Sequence, residues 1–431
     1  MTFQFDVESI RRQFPACQRI HNGIPVAYLD GPGGSQVPTR VGNKILDYLF
    51  YHNANEHGYF DASRETDMLY DEAREVVADF FGCEAGEVAF GYASSQNNFN
   101  LAFALARDFK PGDEIVITDI DHRCNRSPWL ALEERGMVVK SVAVNKETQQ
   151  IDLDDLKAKL SPKTKVAAFN WASNALGTIS DVKTMCAMAH EVGAITVVDA
   201  VHYAAHCPID VKDIDTDVLV CSAYKFFGPH LGVIYIRKDL LDKVEFYNVQ
   251  TEDLLTGIRK FHFGTPPFEL ICGTAEAVKF IASVGQEYSE YFNEELERLQ
   301  GRRRDVVAGM LAIEEYEAPL ARQLRTELRK LPGVTVYGPK EGEPRTSTVV
   351  FTIEGKEPAD VCKVLGDNGI YTWDGDFYAV EIVNDVLGLK DAGGLIRIGL
   401  APYNTVQDVE RTIDLITKIV KSEENPALAD A

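Results

Sequence analysis

Between Glu87 and Arg237, seven short apolar runs alternate with stretches of helical character. The runs cover residues 88–90, 114–117, 137–139, 166–169, 194–198, 218–220 and 233–236. Continuous apolar runs suit strands that are buried on both faces, and the alternation places helices over them. The pattern therefore predicts an α/β fold with a mainly parallel sheet under helices. One covering helix is predicted over 181–192, between a cap at Ser180 or Asp181 and a stop at Gly193.

The pattern changes after about Thr274. A long polar helix is predicted over 286–331, where a Pro-Gly pair ends it. An α+β pattern follows at residues 347–353, 358–368, 395–398 and 407–421. The length of 431 residues suffices for two domains with cores of their own. We predict a large domain over 30–275 and a smaller α+β domain formed by 1–29 and 276–431.

The charge and the cysteine spacing exclude several classes of protein. A formal net charge of −22 argues against nucleic acid and anionic membranes as partners, because both require a basic surface. No apolar run approaches the roughly 18 residues of a membrane-spanning helix, and the first 15 residues do not resemble a signal peptide. The eight cysteines form no CxxC pair, which indicates reduced thiols and a cytoplasmic location.

Two strand ends carry side chains that could take part in catalysis. Asp199 closes the run 194–198, and Lys225 follows the run 218–220 among aromatic residues, before a Gly-Pro turn. In open α/β sheets ligands bind beyond the carboxyl ends of the strands. The pair could flank one planar cofactor, with the carboxylate keeping a pyridine nitrogen protonated and the lysine holding an aldehyde carbon. Taken singly, Asp199 could be a cap and Lys225 a surface charge.

Other polar residues fall at the same predicted edge. Ser94 and Ser95 precede a predicted helix, whose N-terminus could bind phosphate, although a serine N-cap explains them equally well. His122 could stack on a flat ring or be structural. His202 and His206 have the i,i+4 spacing of a metal pair, but no HExxH motif and no helix signal accompanies them, so we predict no metal site.

Taken together and in this order, these phrases resemble the class V aminotransferases of pyridoxal-phosphate (PLP) fold type I. The similarity extends from Tyr28 to Thr405 and is greatest to the cysteine desulfurase branch. The phrase Ser-Ala-Tyr-Lys at 222–225 is similar to the family's Ser-x-His-Lys phrase, with Tyr224 in place of the histidine. The resemblance implies that the cofactor is pyridoxal 5'-phosphate, held by Lys225 as a Schiff base.

The resemblance also implies roles for the other candidate residues. Lys225, His122 and Asp199 would be catalytic, with Asp199 on the pyridine nitrogen and His122 stacked on the ring. The remaining cofactor-binding residues would be Ser94, Ser95, Asn174, His202, Ser222, Tyr224 and Thr265. Thr265 resembles a phosphate ligand donated by a second subunit, which implies a homodimer with shared active sites. Arg397 matches the arginine that binds the substrate's α-carboxylate, a task suited to a guanidinium group.

One segment departs from the desulfurase pattern. Desulfurases carry a nucleophilic cysteine on a mobile loop after a Gly-Ile strand; the matching stretch here, 369–379, contains none, and Tyr378 stands near that position. No cysteine follows Cys362. The chain therefore resembles the subgroup that lacks the persulfide cysteine. The loop from Trp373 to Glu381 is expected to line the substrate pocket, with Trp373 and Tyr378 as substrate-binding residues, although Trp373 could simply pack in the core.

These observations predict a PLP-dependent lyase or transferase of amino acid metabolism. The leading reaction is cleavage at Cβ, such as C–S elimination, without formation of a persulfide. Transamination, epimerisation and decarboxylation, including decarboxylative aldol chemistry, use the same groups and stay open. A PLP-fold protein that binds without turnover is a further alternative, but it would not need Lys225, Asp199 and Arg397 together. The sequence does not identify the amino acid or the pathway.

Overall fold

Each of the seven apolar runs overlaps one strand of the main sheet. The computed structural model describes residues 3–249 and 257–421. Within them the strands, in chain order, are β1 (Ile20–His21), β2 (Ile24–Pro25), β3 (Ala27–Tyr28), β4 (Val88–Gly91), β5 (Glu114–Thr118), β6 (Val138–Val142), β7 (Thr164–Asn170), β8 (Ile195–Asp199), β9 (Val218–Ser222), β10 (Gly232–Ile236), β11 (Val334–Tyr337), β12 (Thr348–Ile353), β13 (Ile370–Tyr371), β14 (Trp373–Gly375) and β15 (Leu395–Gly399).

The main sheet has the strand order β4-β10-β9-β8-β7-β5-β6. Neighbours from β9 to β6 pair in parallel, whereas β10 is antiparallel to both β4 and β9. All residues of β9 and β10 are buried, as expected of strands that are covered on both faces. The predicted α/β fold with a mainly parallel sheet is confirmed.

Helices cover this sheet, as the alternating pattern predicted, and one of them lies where the sequence predicted its bounds. In chain order the helices of the described residues are α1 (Val7–Arg11), α2 (Thr39–Asp47), α3 (Asp61–Phe81), α4 (Ser94–Leu105), α5 (Arg123–Leu130), α6 (Leu153–Lys159), α7 (Val182–Glu191), α8 (Lys238–Leu241), α9 (Phe268–Tyr288), α10 (Asn293–Leu296), α11 (Gly301–Leu328), α12 (Pro358–Asp367) and α13 (Val406–Lys421). The predicted helix over 181–192 is α7. Its N-cap Asp181 accepts a hydrogen bond from the backbone N–H of Thr184. Gly193 follows with a φ of 77°, which glycine adopts without strain.

The C-terminal part contains an antiparallel sheet of order β11-β12-β15-β14. The N-terminal strand β3 pairs in parallel with β13, so the start of the chain is joined to this part. Helix α9 runs through residue 275 and continues on both sides of it. The division into 30–275 and 1–29 with 276–431 therefore stays a prediction.

The predicted continuous helix over 286–331 is wrong. Helix α9 ends at Tyr288 and α11 begins at Gly301, and the two helices fold back on each other. A side-chain carbon at Gly285 would lie 1.7 Å from a backbone oxygen of α11, and one at Gly309 would lie 2.1 Å from a backbone oxygen of α9. These two glycines permit a close helix contact that requires the chain to turn between the helices.

The cysteines are all free thiols, as their spacing predicted. Across residues 3–249 and 257–421, no helix combines the length and the apolar character needed to cross a lipid bilayer. A cytoplasmic location stays a prediction.

Candidate active site

Five strands of the main sheet end at one edge, and the residues there face one inner cavity. Strands β4, β5 and β7 precede Ser94, His122 and Asn174, whereas β8 ends in Asp199 and β9 in Ser222. Nine predicted cofactor-binding residues line the inner cavity: Ser94, Ser95, His122, Asn174, Asp199, His202, Ser222, Tyr224 and Lys225. The convergence follows from topology, because parallel strands present their carboxyl ends at the same edge.

A pair of serine hydroxyls forms one end of the inner cavity. Ser94 Oγ lies 2.6 Å from Ser222 Oγ and donates to the carbonyl of Cys221 at 2.6 Å. Ser94 is also the first residue of the 12-residue helix α4, whose leading N–H groups lack partners within the helix. Hydroxyl donors at a helix N-terminus suit a phosphate group.

Asp199 is buried and held on both carboxylate oxygens. Its Oδ1 accepts a hydrogen bond from the backbone N–H of Val201 at 2.8 Å. Its Oδ2 accepts one from the thiol of Cys124 at 3.2 Å. Burial raises the pKa of Asp199, while the Val201 N–H and the Cys124 thiol act in the opposite direction. A carboxylate fixed at this position is a suitable partner for a protonated pyridine nitrogen, whose positive charge would in turn favour the ionised form of Asp199.

His122 is the N-cap of α5 and carries a neutral imidazole. Its Nδ1 accepts a hydrogen bond from the backbone N–H of Cys124 at 3.0 Å. This contact assigns the remaining ring proton to Nε2. Burial, followed by the nearby charges of Lys225 and Arg397, lowers the pKa of His122 to about 4. The ring is therefore uncharged near neutral pH and can stack on a flat ligand.

Lys225 lies beneath the loop that follows β3. Its Nζ donates to the backbone carbonyls of Pro32 and, at 3.1 Å, of Gly33. Burial, with a smaller contribution from Arg397, lowers the pKa of Lys225 to about 7. A large fraction of the amine is therefore neutral at physiological pH, the state required of a nucleophile or a base.

Three buried polar atoms of the inner cavity are left without partners among the described residues. They are Oδ1 of Asn170, Oδ1 of Asn174 and Nδ1 of His202. The other ring nitrogen of His202 contacts the hydroxyls of Thr346 and Thr348 at 3.0 and 2.9 Å. Because unpaired buried polar atoms are costly, the cavity suits a ligand that offers them hydrogen bonds. A phosphorylated pyridine with a ring hydroxyl fits the cavity: hydroxyls at one end, a carboxylate at Asp199 and a neutral lysine.

The predicted substrate residues line an outer cavity of about 910 Å³ that adjoins the inner one. Arg397, Trp373 and Tyr378 all contribute to its wall. The guanidinium of Arg397 donates to the carbonyl of Asn174 at 3.0 Å, and its carbon lies 4.0 Å from the ring centre of Phe377. Trp373 is exposed over 53% of its surface, so it does not pack in the core.

Thr265 lies apart from the other predicted cofactor residues. It is exposed and lines a separate cavity with Gln96, Asn97 and Phe263. Its donation to a second subunit stays a prediction.

The two histidines considered as a metal pair have other contacts. The rings of His202 and His206 are 4.9 Å apart, and His206 Nδ1 lies 2.8 Å from the buried carboxylate of Glu317. Among the described residues, the group whose geometry could hold a metal ion is Glu56, His57 and Asp67. Arg259 contacts both Glu56 and His57 at 2.9 Å, so these side chains already have partners.

Sequence reasoning missed three contributors to the site. The carbonyls of Pro32 and Gly33 hold Lys225, and the ring of Phe377 covers Arg397. The glycine-rich turn after Asp30 was a signal for a close backbone approach, whereas nothing in the sequence distinguishes Phe377 from its aromatic neighbours.

Comparisons with known proteins agree with this geometry. A family model described as Aminotransferase class-V matches residues 27–303 and 306–412. The chain is 30% identical over 425 residues to the aminotransferase-like protein FGM3 of Gibberella zeae, covering 95% of this chain and 97% of that protein. It is 27% identical over 446 residues to a cysteine desulfurase of Haloferax volcanii, covering 96% and 97%. An apo cysteine desulfurase structure from Thermococcus onnurineus matches with a TM-score of 0.84, 27% identity, and coverage of 98% and 99%.

The fold and the inner cavity define a PLP-dependent enzyme of fold type I. The chain belongs to the class V aminotransferase family, and pyridoxal 5'-phosphate is its cofactor. The family resemblance inferred from the sequence is thus confirmed. Membership of a subgroup without the persulfide cysteine stays a prediction.

Proposed function

We propose that this enzyme cleaves an amino acid substrate at Cβ, as in C–S elimination, without forming a persulfide. The observation that carries the proposal is the arrangement of Lys225, Asp199 and Arg397 around two adjoining cavities. Near the position where desulfurases carry their nucleophilic cysteine, this chain has Tyr378, which lines the outer cavity. Several relatives are named cysteine desulfurases, a name that refers to the removal of sulfur from cysteine, and this supports sulfur as the leaving group here.

Each residue has a distinct task in this proposal. Bound PLP supplies a ring that withdraws electrons from the substrate's Cα. Arg397 binds the α-carboxylate, and Asp199 keeps the ring nitrogen protonated. Lys225, whose pKa is lowered to about 7, would take the proton from Cα and give it to the sulfur that departs as the Cβ–S bond breaks, because near pH 7 both of its protonation states are populated. His122 stacks on the ring and offers a neutral Nε2–H.

Transfer of sulfur to the enzyme requires a reactive thiolate near the substrate. Among the described residues the cysteine that lines the cavities is Cys124. The Cys124 thiol donates a hydrogen bond to Asp199, and burial raises the pKa of this thiol well above its ordinary value. A protonated, hydrogen-bonded thiol is a poor nucleophile, and so is the neutral phenol of Tyr378. We therefore favour release of sulfur as free sulfide or a thiol.

Incubation with cysteine or cystine is expected to leave the protein mass unchanged. Intact mass spectrometry without reductant measures this, while parallel assays detect sulfide, a keto acid and ammonia. The same screen, extended to other amino acids and to carbon dioxide, separates elimination from transamination, epimerisation and decarboxylation. A stable gain of one sulfur atom with alanine as product, both lost in Cys124→Ser, would instead identify a desulfurase.

We also propose that the active unit is a homodimer. Large exposed hydrophobic residues concentrate in the segment 46–68: Leu46, Leu49, Phe50, Tyr51, Tyr59, Phe60 and Met68. Apolar surface of this kind marks an interaction site. Arg259 contacts Glu56 at 2.9 Å and thereby connects this segment with the chain region that carries the exposed Thr265.

Subunit exchange tests the shared site. Lys225→Ala and Thr265→Ala are each expected to be impaired, whereas their mixture regains activity, since the mixed dimer contains one site with neither change. Activity is measured before and after exchange, alongside sedimentation velocity. A fully active species that sediments as a monomer would contradict the proposal, as would a mixture no more active than its components.

A further inference from the structure

The outer cavity is walled by aromatic side chains. Phe99, Trp373, Phe377 and Tyr378 line it, and two of them present much of their surface: Trp373 is 53% and Tyr378 69% exposed. The inner cavity contains none of these four residues. Aromatic rings that remain accessible inside a cavity provide apolar surface for a ligand to cover.

The size of the outer cavity exceeds the needs of a small amino acid. At about 910 Å³ it lies near the upper end of the range for pockets that bury whole drug-sized ligands. Its inner side shares Lys225, Asn174 and His122 with the inner cavity, so the cofactor takes up that side. The remaining space lies toward the aromatic wall and is available to a substrate side chain.

Two charged groups of this wall, Arg123 and Asp376, have partners within the protein. Arg123 forms an ion pair with Glu381 at 2.8 Å. Asp376 accepts hydrogen bonds from the backbone N–H of Tyr378 at 3.0 Å and from the amide of Asn384 at 3.2 Å. The part of the wall formed by Trp373, Phe377 and Tyr378 therefore offers mainly apolar contact, while the exposed Lys390 lines the same cavity as a charged group.

Trp373 lies between Arg397, the predicted carboxylate-binding residue, and the backbone segment that holds Lys225. Its backbone pairs with that of Arg397, and its indole nitrogen would lie 2.8 Å from a side-chain carbon built on Gly33. The indole thus packs against the backbone that holds Lys225 and turns its exposed surface to the outer cavity. A substrate whose carboxylate is at Arg397 and whose amine is near Lys225 extends its side chain past this ring.

We infer that the substrate carries a bulky, mainly apolar side chain, which lies among Phe99, Trp373, Phe377 and Tyr378. This inference rests on the proposed function, because it takes the substrate to be an amino acid. It departs from the substrate of the relatives named cysteine desulfurases. A cysteine whose sulfur bears a bulky apolar group satisfies both this inference and the proposed cleavage at Cβ.

Spectral titration of the PLP-loaded protein tests the inference without requiring turnover. Alanine, cysteine, phenylalanine and S-benzylcysteine are added, and binding is followed by the visible absorbance of the cofactor. Phenylalanine is expected to bind at least about tenfold more tightly than alanine, and S-benzylcysteine more tightly than cysteine, because an additional apolar group is buried. Trp373→Ala is expected to reduce these ratios toward one, while Trp373→Phe retains most of the preference.

Tyr247→Ala is the matched control, since Tyr247 is an exposed aromatic residue outside the outer cavity. It is expected to leave the ratios unchanged. Equal affinities for alanine and phenylalanine, or ratios that Trp373→Ala does not alter, would overturn this inference alone. No response to any amino acid would overturn the proposed function and this inference with it.

Discussion

Lys225→Ala is expected to abolish the visible absorbance of the covalently bound cofactor and to lower turnover by at least about 10²–10⁴-fold, the usual contribution of a positioned acid–base group. The physical reason is the proposed role of Lys225 as the residue that holds the cofactor: its amine is buried just beyond β9, and its pKa is lowered to about 7. Absorbance spectra and steady-state rates measure both effects.

Lys390→Ala is the matched control, because Lys390 is an exposed lysine that lines the outer cavity. This variant is expected to retain the cofactor absorbance. Treatment with borohydride followed by peptide mapping locates the attached cofactor. A Lys225→Ala protein that still yields a reduced cofactor adduct at its native site would show that another group holds the cofactor.

The variant Asp199→Asn is expected to keep part of its cofactor affinity but to lose most of its rate. An amide cannot stabilise the positive charge on a protonated ring nitrogen, so the ring withdraws electrons less strongly. The backbone N–H of Val201 can still donate to an amide oxygen at this position, which favours a folded protein. We expect a rate loss of about 10²-fold or more, measured per cofactor-loaded site.

Asp121→Asn provides the comparison. Asp121 is also fully buried near Asp199, but its carboxylate is held by Thr118 and Asn125 and does not line either cavity. Its substitution is expected to lower stability more than the rate per loaded site. If Asp199→Asn retained near-normal turnover, Asp199 would be a structural cap.

The main sheet was predictable because its strands are apolar and uninterrupted. Burial on both faces imposes that composition, and the runs around Val88, Val166 and Val233 show it without any alignment. The strand β14 was not predictable, since its three residues gain their strand geometry from pairing with β15. The break between α9 and α11 was missed for a similar reason: it is imposed by a contact between glycines that are distant in sequence.

The site was predictable to the extent that topology determines it. Strands β8 and β9 are parallel neighbours, so their carboxyl ends bring Asp199 and the segment that carries Lys225 to the same cavity. Contacts across larger separations were not visible in the sequence, including the hydrogen bond from Cys124 to Asp199 and the ring of Phe377 on Arg397. Such contacts depend on rotamers and loop paths, which short motifs do not encode.

The aromatic wall contains two residues with a strained backbone conformation. Phe377 and Tyr378 both have left-handed φ values, 57° and 59°, which cost non-glycine residues about 1–3 kcal/mol each. The carbonyl of Phe377 accepts a hydrogen bond from the Asn174 amide at 2.9 Å, and that of Tyr378 accepts one from the Arg123 N–H at 2.8 Å. These two anchors connect the wall to loops at the cofactor edge.

The hydrogen bond from Asn174 to Phe377 joins a residue of the inner cavity to the wall of the outer one. A ligand that displaced Phe377 would break its hydrogen bond with Asn174, and the free energy of filling the outer cavity would then depend on how the inner one is occupied. Linkage requires the dependence to be mutual: whatever factor cofactor loading imposes on the affinity for a large side chain, that side chain imposes on the affinity for the cofactor. A substrate large enough to move Phe377 would therefore also change the affinity for the cofactor.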